Sequence, residues 1–317
     1  YLLMAANQKH LEAQYRLGKI YYKGKYIEKD IEKAILYFQS AAKQNHAEAL
    51  YQLGMINYEG KYIEKDIEEA IKYFQSAANQ NHLESQYRLG KYYLKRGSIP
   101  NIDKSLDYLS IAANQNHVKA QYLLGIIYYK GKYTERDIEK TIFYLQSAAE
   151  QNHVKAQYQL GIIYYEGKYI QKDIKKSIIY LQLATDQNHS ESQYQLGIIF
   201  YEGKYTERDI EKAILCFQAA AEKNHVKAQY QLGMIYSEGK YIEKDIKKSI
   251  FYLQKAAKQN HSEAQYQLGM INYENQKLED SIRYFLLSTG QNNENAKEKL
   301  KEMFEKVDLS DLDFDLM

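Results

Sequence analysis

A Leu-Gly pair returns along this chain at a fixed interval, and that interval constrains the fold more than any other feature. Its glycines are Gly18, Gly54, Gly90, Gly125, Gly161, Gly197, Gly233 and Gly269, 36 residues apart at every step but one, which is 35. A period of this size marks a stacked array, in which one unit cannot bury its apolar face alone and its neighbours cover it. It also sets aside the ordinary inference from 317 residues to two globular domains, because a stack has no central core to outgrow.

The unit from Asn152 to Gln187 shows how each copy is punctuated. Ala156, Leu160, Ile163 and Tyr164 form one apolar stripe at helical spacing, and Ile174, Ser177, Ile178, Leu181 and Ala184 form a second. Between these helices, A and B, lies a loop that opens on a Gly able to end helix A in the left-handed conformation. The loop closes on an Asp whose carboxylate can accept the free N–H groups of helix B. That Asp is Asp30, Asp66, Asp137, Asp173, Asp209 or Asp245, with Asn101 in the third copy. Helix B ends in a turn carrying Asn, a residue tolerant of left-handed backbone. The Leu-Gly glycines fall inside helix A at a cost of about 0.5–1 kcal/mol each relative to Ala, which predicts close approach of another helix there.

These features, Ala-x-x-x-Leu-Gly, then Tyr, a Gly before the loop, an Asp after it and a final Ala-Ala pair, resemble the Sel-one-like repeat of the tetratricopeptide superfamily. The resemblance runs through eight copies and nearly the whole chain. It implies an all-α fold, a right-handed α-α superhelix or solenoid of about eight helix-turn-helix repeats with a half repeat at each end. It also implies a non-enzymatic adaptor that binds other proteins or peptides through the concave face of its A helices. Two departures stand out: Asn replaces the family's usual Gly between repeats, and the cysteines of its disulfide-stapled subgroup are missing.

The solenoid is expected over residues 1–307. Tyr1–His10 aligns with Tyr144–His153, so residues 1–10 read as a truncated helix B of a preceding repeat, and the chain as a segment of a longer protein. The eighth copy shortens its loop to residues 275–280. Residues 296–307 read as a capping helix with Ala296, Leu300, Met303, Phe304 and Val307 on its apolar stripe. The acidic segment 308–317 alternates Asp with Leu and Phe; it reads as a disordered tail, or as a short motif that a partner recognises. The third copy holds the sole proline, Pro100, which belongs in a loop.

Charge and composition narrow the function classes. Lys and Arg number 43 against 41 Asp and Glu, with signs alternating along each repeat, which argues against nucleic acid. No apolar run approaches the roughly 20 residues of a membrane span. Cys216 is the single cysteine, so no intrachain disulfide forms; it takes a helix B position held by Tyr in other copies and reads as apolar filler. Lack of a disulfide framework points to a reducing, cytoplasmic compartment. Asn188 and Asn260 fall in N-x-S sequons that arise from Ser replacing Ala or Val after the turn, and read as accidental.

All eight histidines share one phase, from His10 to His261, with Asn293 in the last turn. One imidazole per turn, with no accompanying ligand, converges poorly on a metal, so a packing role is expected and no metal or cofactor. Two Tyr columns run along helix A. The earlier is Tyr15, Tyr51, Tyr87, Tyr122, Tyr158, Tyr194, Tyr230 and Tyr266; the later is Tyr22, Tyr58, Tyr129, Tyr165, Tyr201 and Tyr273, with Leu94 and Ser237 as departures. Between them run Lys19, Met55, Lys91, Ile126, Ile162, Ile198, Met234 and Met270. The earlier column is expected to pack between repeats. The later column, with the middle residues Ile126, Ile162, Ile198, Met234 and Met270, is the candidate partner-binding face. Arg16 and Arg88 have Glu12 and Glu84 one turn before them.

No catalytic constellation departs from the repetition, and a residue copied eight times makes a poor single active site. Two alternatives stay open: a regulatory or substrate-recruiting arm of a larger enzyme, such as a kinase with its catalytic domain upstream, and a metal- or proton-responsive rod.

Overall fold

The computed structural model describes residues 1–95, 101–204 and 206–306. Pro100, Val307 and the acidic segment 308–317 lie outside them. Every regular element among the described residues is an α-helix, and the chain divides into two compact units, Tyr1–Ala156 and Gln157–Met317.

The first unit opens on the short α1 (Leu2–Asn7) and continues through α2 (Leu11–Lys23), α3 (Ile31–Ala42), α4 (Ala47–Glu59) and α5 (Ile67–Ala78). It goes on with α6 (Leu83–Lys95), α7 (Ile102–Asn114), α8 (Val118–Lys130) and α9 (Ile138–Glu150), and reaches the first turn of α10 (Val154–Glu166). The second unit holds the rest of α10, then α11 (Ile174–Asp186), α12 (Ser190–Glu202), α13 (Ile210–Glu222) and α14 (Val226–Glu238). It ends with α15 (Ile246–Lys258), α16 (Ser262–Glu274), α17 (Leu278–Thr289) and α18 (Glu294–Lys306). Even-numbered helices from α2 to α16 are the A helices, and each odd-numbered one after it is its B helix. Within each unit sequential helices pack on one another, α2 on α3, α3 on α4 and so on, which is the connectivity of an α-solenoid.

The punctuation forms as the residues dictate. Gly24, Gly60, Gly131, Gly167, Gly203 and Gly239 end their A helices at φ between 59° and 64°, a conformation that only Gly takes without steric cost. Asp30, Asp137, Asp173, Asp209 and Asp245 each accept the N–H three residues on at 2.9 Å, Asp66 does so at 2.8 Å, and Asn101 at 3.1 Å. Between repeats Asn45, Asn81, Asn116, Asn152, Asn188, Asn224, Asn260 and Asn292 take φ between 60° and 65°. Asn therefore supplies the left-handed residue of the turn between repeats.

The embedded glycines let helix B press on helix A. A Cβ at Gly18, Gly54, Gly197 or Gly269 would meet the ring of Phe38, Phe74, Phe217 or Phe285 at 2.5–2.6 Å. At Gly90, Gly125, Gly161 and Gly233 it would meet Leu109, Leu145, Leu181 and Leu253 at 2.6–2.7 Å. These Phe and Leu side chains are essentially inaccessible and form the centre of each hairpin. A second, polar layer closes the turns: the Nε2 of buried Gln121 donates to Ala113 O of the preceding hairpin at 3.2 Å, and its Oε1 accepts from Gln151, at the end of its own hairpin, at 2.8 Å. Gln157 with Gln187 and Gln229 with Gln259 repeat that second bond at 2.8 Å.

The last hairpin departs from the pattern. Only residues 275–277 separate α16 from α17, so helix B begins inside the stretch read as loop, and its first residue has Lys277 rather than a capping Asp before it. Ala296, Leu300 and Met303 of α18 are buried against Phe285, whereas Phe304 is 58% exposed. The stripe expected on this helix is therefore narrower by one residue, because only one side of it meets a neighbour.

Candidate functional site

Helix A carries all the columns singled out above, and the structure divides them. The histidines serve as N-caps of helix A. In His10, His46, His82, His117, His153, His189, His225 and His261, Nδ1 accepts the N–H three residues on at 3.2–3.3 Å. An Nδ1 that accepts carries no proton, so in the neutral ring the proton is on Nε2. Asn293 does the same work in the last turn, its Oδ1 accepting Ala296 N–H at 3.0 Å.

From His46 onward each of these seven rings also reaches back to the preceding hairpin. His46 lies on Tyr15, His82 on Tyr51, His117 on Tyr87 and His153 on Tyr122, with centroids 4.5, 4.8, 4.9 and 4.6 Å apart. In the second unit His189 lies on Tyr158, His225 on Tyr194 and His261 on Tyr230, at 5.0, 4.7 and 4.7 Å. Burial pushes the Tyr15 and Tyr158 phenols up to about 12. The earlier Tyr column is thus engaged in packing between repeats. Four rings bring Nε2 to a carboxylate of the preceding hairpin as well: His46 is 3.4 Å from Glu12, His82 2.9 Å from Glu48, His117 3.1 Å from Glu84 and His225 3.0 Å from Glu191.

The later column meets a further set of aromatic residues, the tyrosines of the A–B loops. Tyr22 stands edge-on to Tyr62 of the next loop, centroids 6.0 Å apart, and Tyr201 to Tyr241 in the same way at 6.0 Å. A loop cation completes each group. Lys29 Nζ donates to Tyr62 Oη at 2.7 Å and lies 4.5 Å from that ring centroid, and the Arg208 guanidinium lies 4.7 Å from Tyr241. Lys65 stands over Tyr58 at 5.8 Å and Lys172 over Tyr165 at 5.4 Å. Tyr165 also donates its hydroxyl to Glu202 at 3.2 Å, and Lys299 of α18 stands 4.9 Å from Tyr273. These rings keep an accessible edge: Tyr22, Tyr129, Tyr165, Tyr201 and Tyr273 are half-buried and Tyr58 is 38% exposed. Ile126, Ile162, Ile198, Met234 and Met270 beside them are half-buried too.

Other candidate chemistry stays apart from this face. Among the described residues no three His, Cys, Asp or Glu side chains converge where a metal ion could sit. Cys216 packs against the buried cluster of Leu181, Leu196 and Ile199, and burial pushes its thiol up to about 11, far from a nucleophile. No helix among the described residues is long and apolar enough to cross a membrane.

Helical hairpins joined through capped turns, with an aromatic A-helix face, define an α-solenoid of the tetratricopeptide-like class. The Sel1 repeat model matches residues 11–46, 47–82, 83–117, 118–153, 154–189, 190–225, 226–261 and 262–279, and the chain belongs to that family. A protective antigen of uropathogenic Escherichia coli strains, described as displaying an SLR fold, superposes with a TM-score of 0.88 at 25% identity, over 96% of this chain and 67% of its own. A Sel1 repeat protein from Oxalobacter formigenes does so with a TM-score of 0.75 at 25% identity, over 95% of this chain and 89% of its own. No curated protein sequence matches the chain.

Proposed function

We propose that this chain is a non-enzymatic scaffold that binds other proteins through the A-helix face of its units, as Sel1 repeat proteins generally do. The observation that carries the reading is the division of labour between the two Tyr columns. The earlier rings are covered by the histidines of the next hairpin, whereas the later rings keep an accessible edge beside half-exposed Ile and Met side chains. Amphipathic rings held in place by loop cations suit partner contact, since they offer apolar area at little entropic loss. Binding is assigned to Tyr22, Tyr58, Tyr129, Tyr165, Tyr201 and Tyr273 with Ile126, Ile162, Ile198, Met234 and Met270. The single cysteine suits a reducing, cytoplasmic setting.

Tyr165→Ala combined with Tyr201→Ala tests the assignment within the second unit. Affinity capture from lysate should lose the partners retained by the wild type, with the melting temperature lowered by only a few degrees. A double variant that unfolds would show that these rings are structural and remove them from the binding face.

A further inference from the structure

One stretch of the A-helix face gathers cations from three successive helices. Where α6, α8 and α10 meet in the first unit they enclose a cleft of about 630 Å³. Its floor is apolar and aromatic, made by Tyr87, Leu94, Tyr122, Leu123 and Val154. Its rim is cationic: Lys91 and Lys95, one turn apart on α6, Lys119 on α8 and Lys155 in the first turn of α10, all exposed. Among the described residues none of these four lysines is in an ion pair. Glu84, whose carboxylate feels Lys119, is already shared between Arg88 at 3.3 Å and His117 at 3.1 Å. The free N–H groups at the start of α10 add positive potential to the same side. A smaller cleft of about 330 Å³ shares Lys91 and Lys95 and adds Arg88 and Tyr58.

The other repeats supply the internal comparison. At the positions of Lys91 and Lys95, α2 also has two lysines, Lys19 and Lys23, whereas the second unit has Ile162 and Glu166, Ile198 and Glu202, Met234 and Glu238, and Met270 and Glu274. Glu12, Glu48, Glu84, Glu191 and Glu263 stand where the cleft has Lys119 and Lys155. Cations on three successive A helices coincide around this cleft.

We infer that this cleft binds an acidic peptide segment in which carboxylates are interspersed with aliphatic or aromatic side chains. The inference rests on the scaffold reading and specifies the partner chemistry of one site. A bare phosphate would satisfy the lysines and leave the apolar floor wet, whereas a peptide carrying both kinds of side chain covers each. Lysine rims raise association rates for anionic partners, and the pairing is screened by salt.

The test uses the full chain and fluorescence anisotropy of a short fluorescein-labelled peptide of glutamates and aspartates interrupted by leucines. Binding should weaken steeply as salt rises. Lys91→Glu with Lys119→Glu should weaken it by about tenfold or more with unchanged melting, since both side chains are exposed. Lys247→Glu, on the exposed side of α15, should leave binding as it was. Replacing the acids by their amides should abolish binding, and replacing leucines by serines should weaken it several-fold. Unchanged affinity in the double variant overturns the inference. So does equal binding of the leucine-free peptide with displacement by tripolyphosphate, which would mark a simple polyanion patch. A chain that captures partners through Tyr165 and Tyr201 yet ignores the acidic peptide loses only this inference; failure of the scaffold reading shows in that Tyr pair.

Discussion

His82 Nε2 stands 2.9 Å from Oε2 of Glu48, one hairpin earlier, while the same ring caps its own helix through Nδ1. One imidazole thus ties a helix start to the previous repeat. The hydrogen bond from His82 is the largest influence holding the Glu48 carboxyl below its ordinary value of 4.5, against the opposing effect of burial.

The sign of the resulting pH dependence follows from proton counting. A carboxyl depressed in the fold leaves the unfolded chain with more bound protons, so its contribution is present above about pH 4.5 and lost as pH falls through the folded value. His153 and His261 act in the same direction at higher pH. Burial is the main cause lowering both, with Lys155 and Lys119 adding to it at His153 and Lys227 at His261. Protonation would also place an N–H on the Nδ1 that must accept the cap. Melting temperature should therefore fall as pH drops below about 6.5 and fall further below about 4.5. Thermal scans across that range check the trend, and Glu48→Gln should flatten the lower part. Lys119→Glu should raise the His153 pKa in an NMR titration, because it restores the carboxylate that other repeats place there.

The capping role of histidine predicts a graded series at His225. Alanine removes the cap to Ala228, the pairing with Glu191 and the stack on Tyr194, and should destabilise by about 1–3 kcal/mol. Asparagine, which performs this cap at position 293, should recover part of that loss. Urea denaturation of the two variants decides; equal losses would mean that the cap contributes nothing.

At Gly161 the structure reverses the usual effect of Gly→Ala in a helix. Propensity alone would stabilise by about 0.5–1 kcal/mol. The added Cβ would lie 2.6 Å from Leu181 Cγ in a fully packed hairpin, and overpacking of this kind destabilises by about 1–3 kcal/mol. Gly161→Ala should lower the midpoint of unfolding. A raised midpoint would show that the two helices separate freely.

Two buried serines in equivalent positions should respond differently to alanine. Ser177 Oγ donates to Gly161 O at 2.8 Å, whereas Ser249 Oγ is buried with no partner. Ser177→Ala should cost about 1 kcal/mol, and Ser249→Ala should be neutral or stabilising, as the Ala residues at 34, 70 and 213 in that column suggest. Calorimetric melting of the two single variants separates the cases.

Much of the hairpin was legible before any coordinate. Gly167 and Asp173 announce the end of one helix and the start of the next through backbone conformation and capping, both settled within a few residues. The same signal stood at the histidines, each one residue before a helix A, but imidazole is not a usual cap and its role was read only as packing. The loop tyrosines Tyr62 and Tyr241 are equally periodic, but periodicity does not reveal their role, because their partners Tyr22 and Tyr201 lie a whole repeat away. Phe304 was misplaced since helical spacing gives a stripe but not how wide a neighbour covers it.

The period, the two helices per period and the turns between them follow from the amino-acid order alone, because hydrogen bonds and dihedral preferences act over about four residues. Tertiary structure decided which side chains meet across some 30–40 residues of chain: His82 with Glu48, Tyr22 with Tyr62, and four lysines around one cleft. Those pairings depend on how one hairpin is rotated against the next, a quantity set by the summed packing of Phe, Leu and Gly at each interface and written in no single residue.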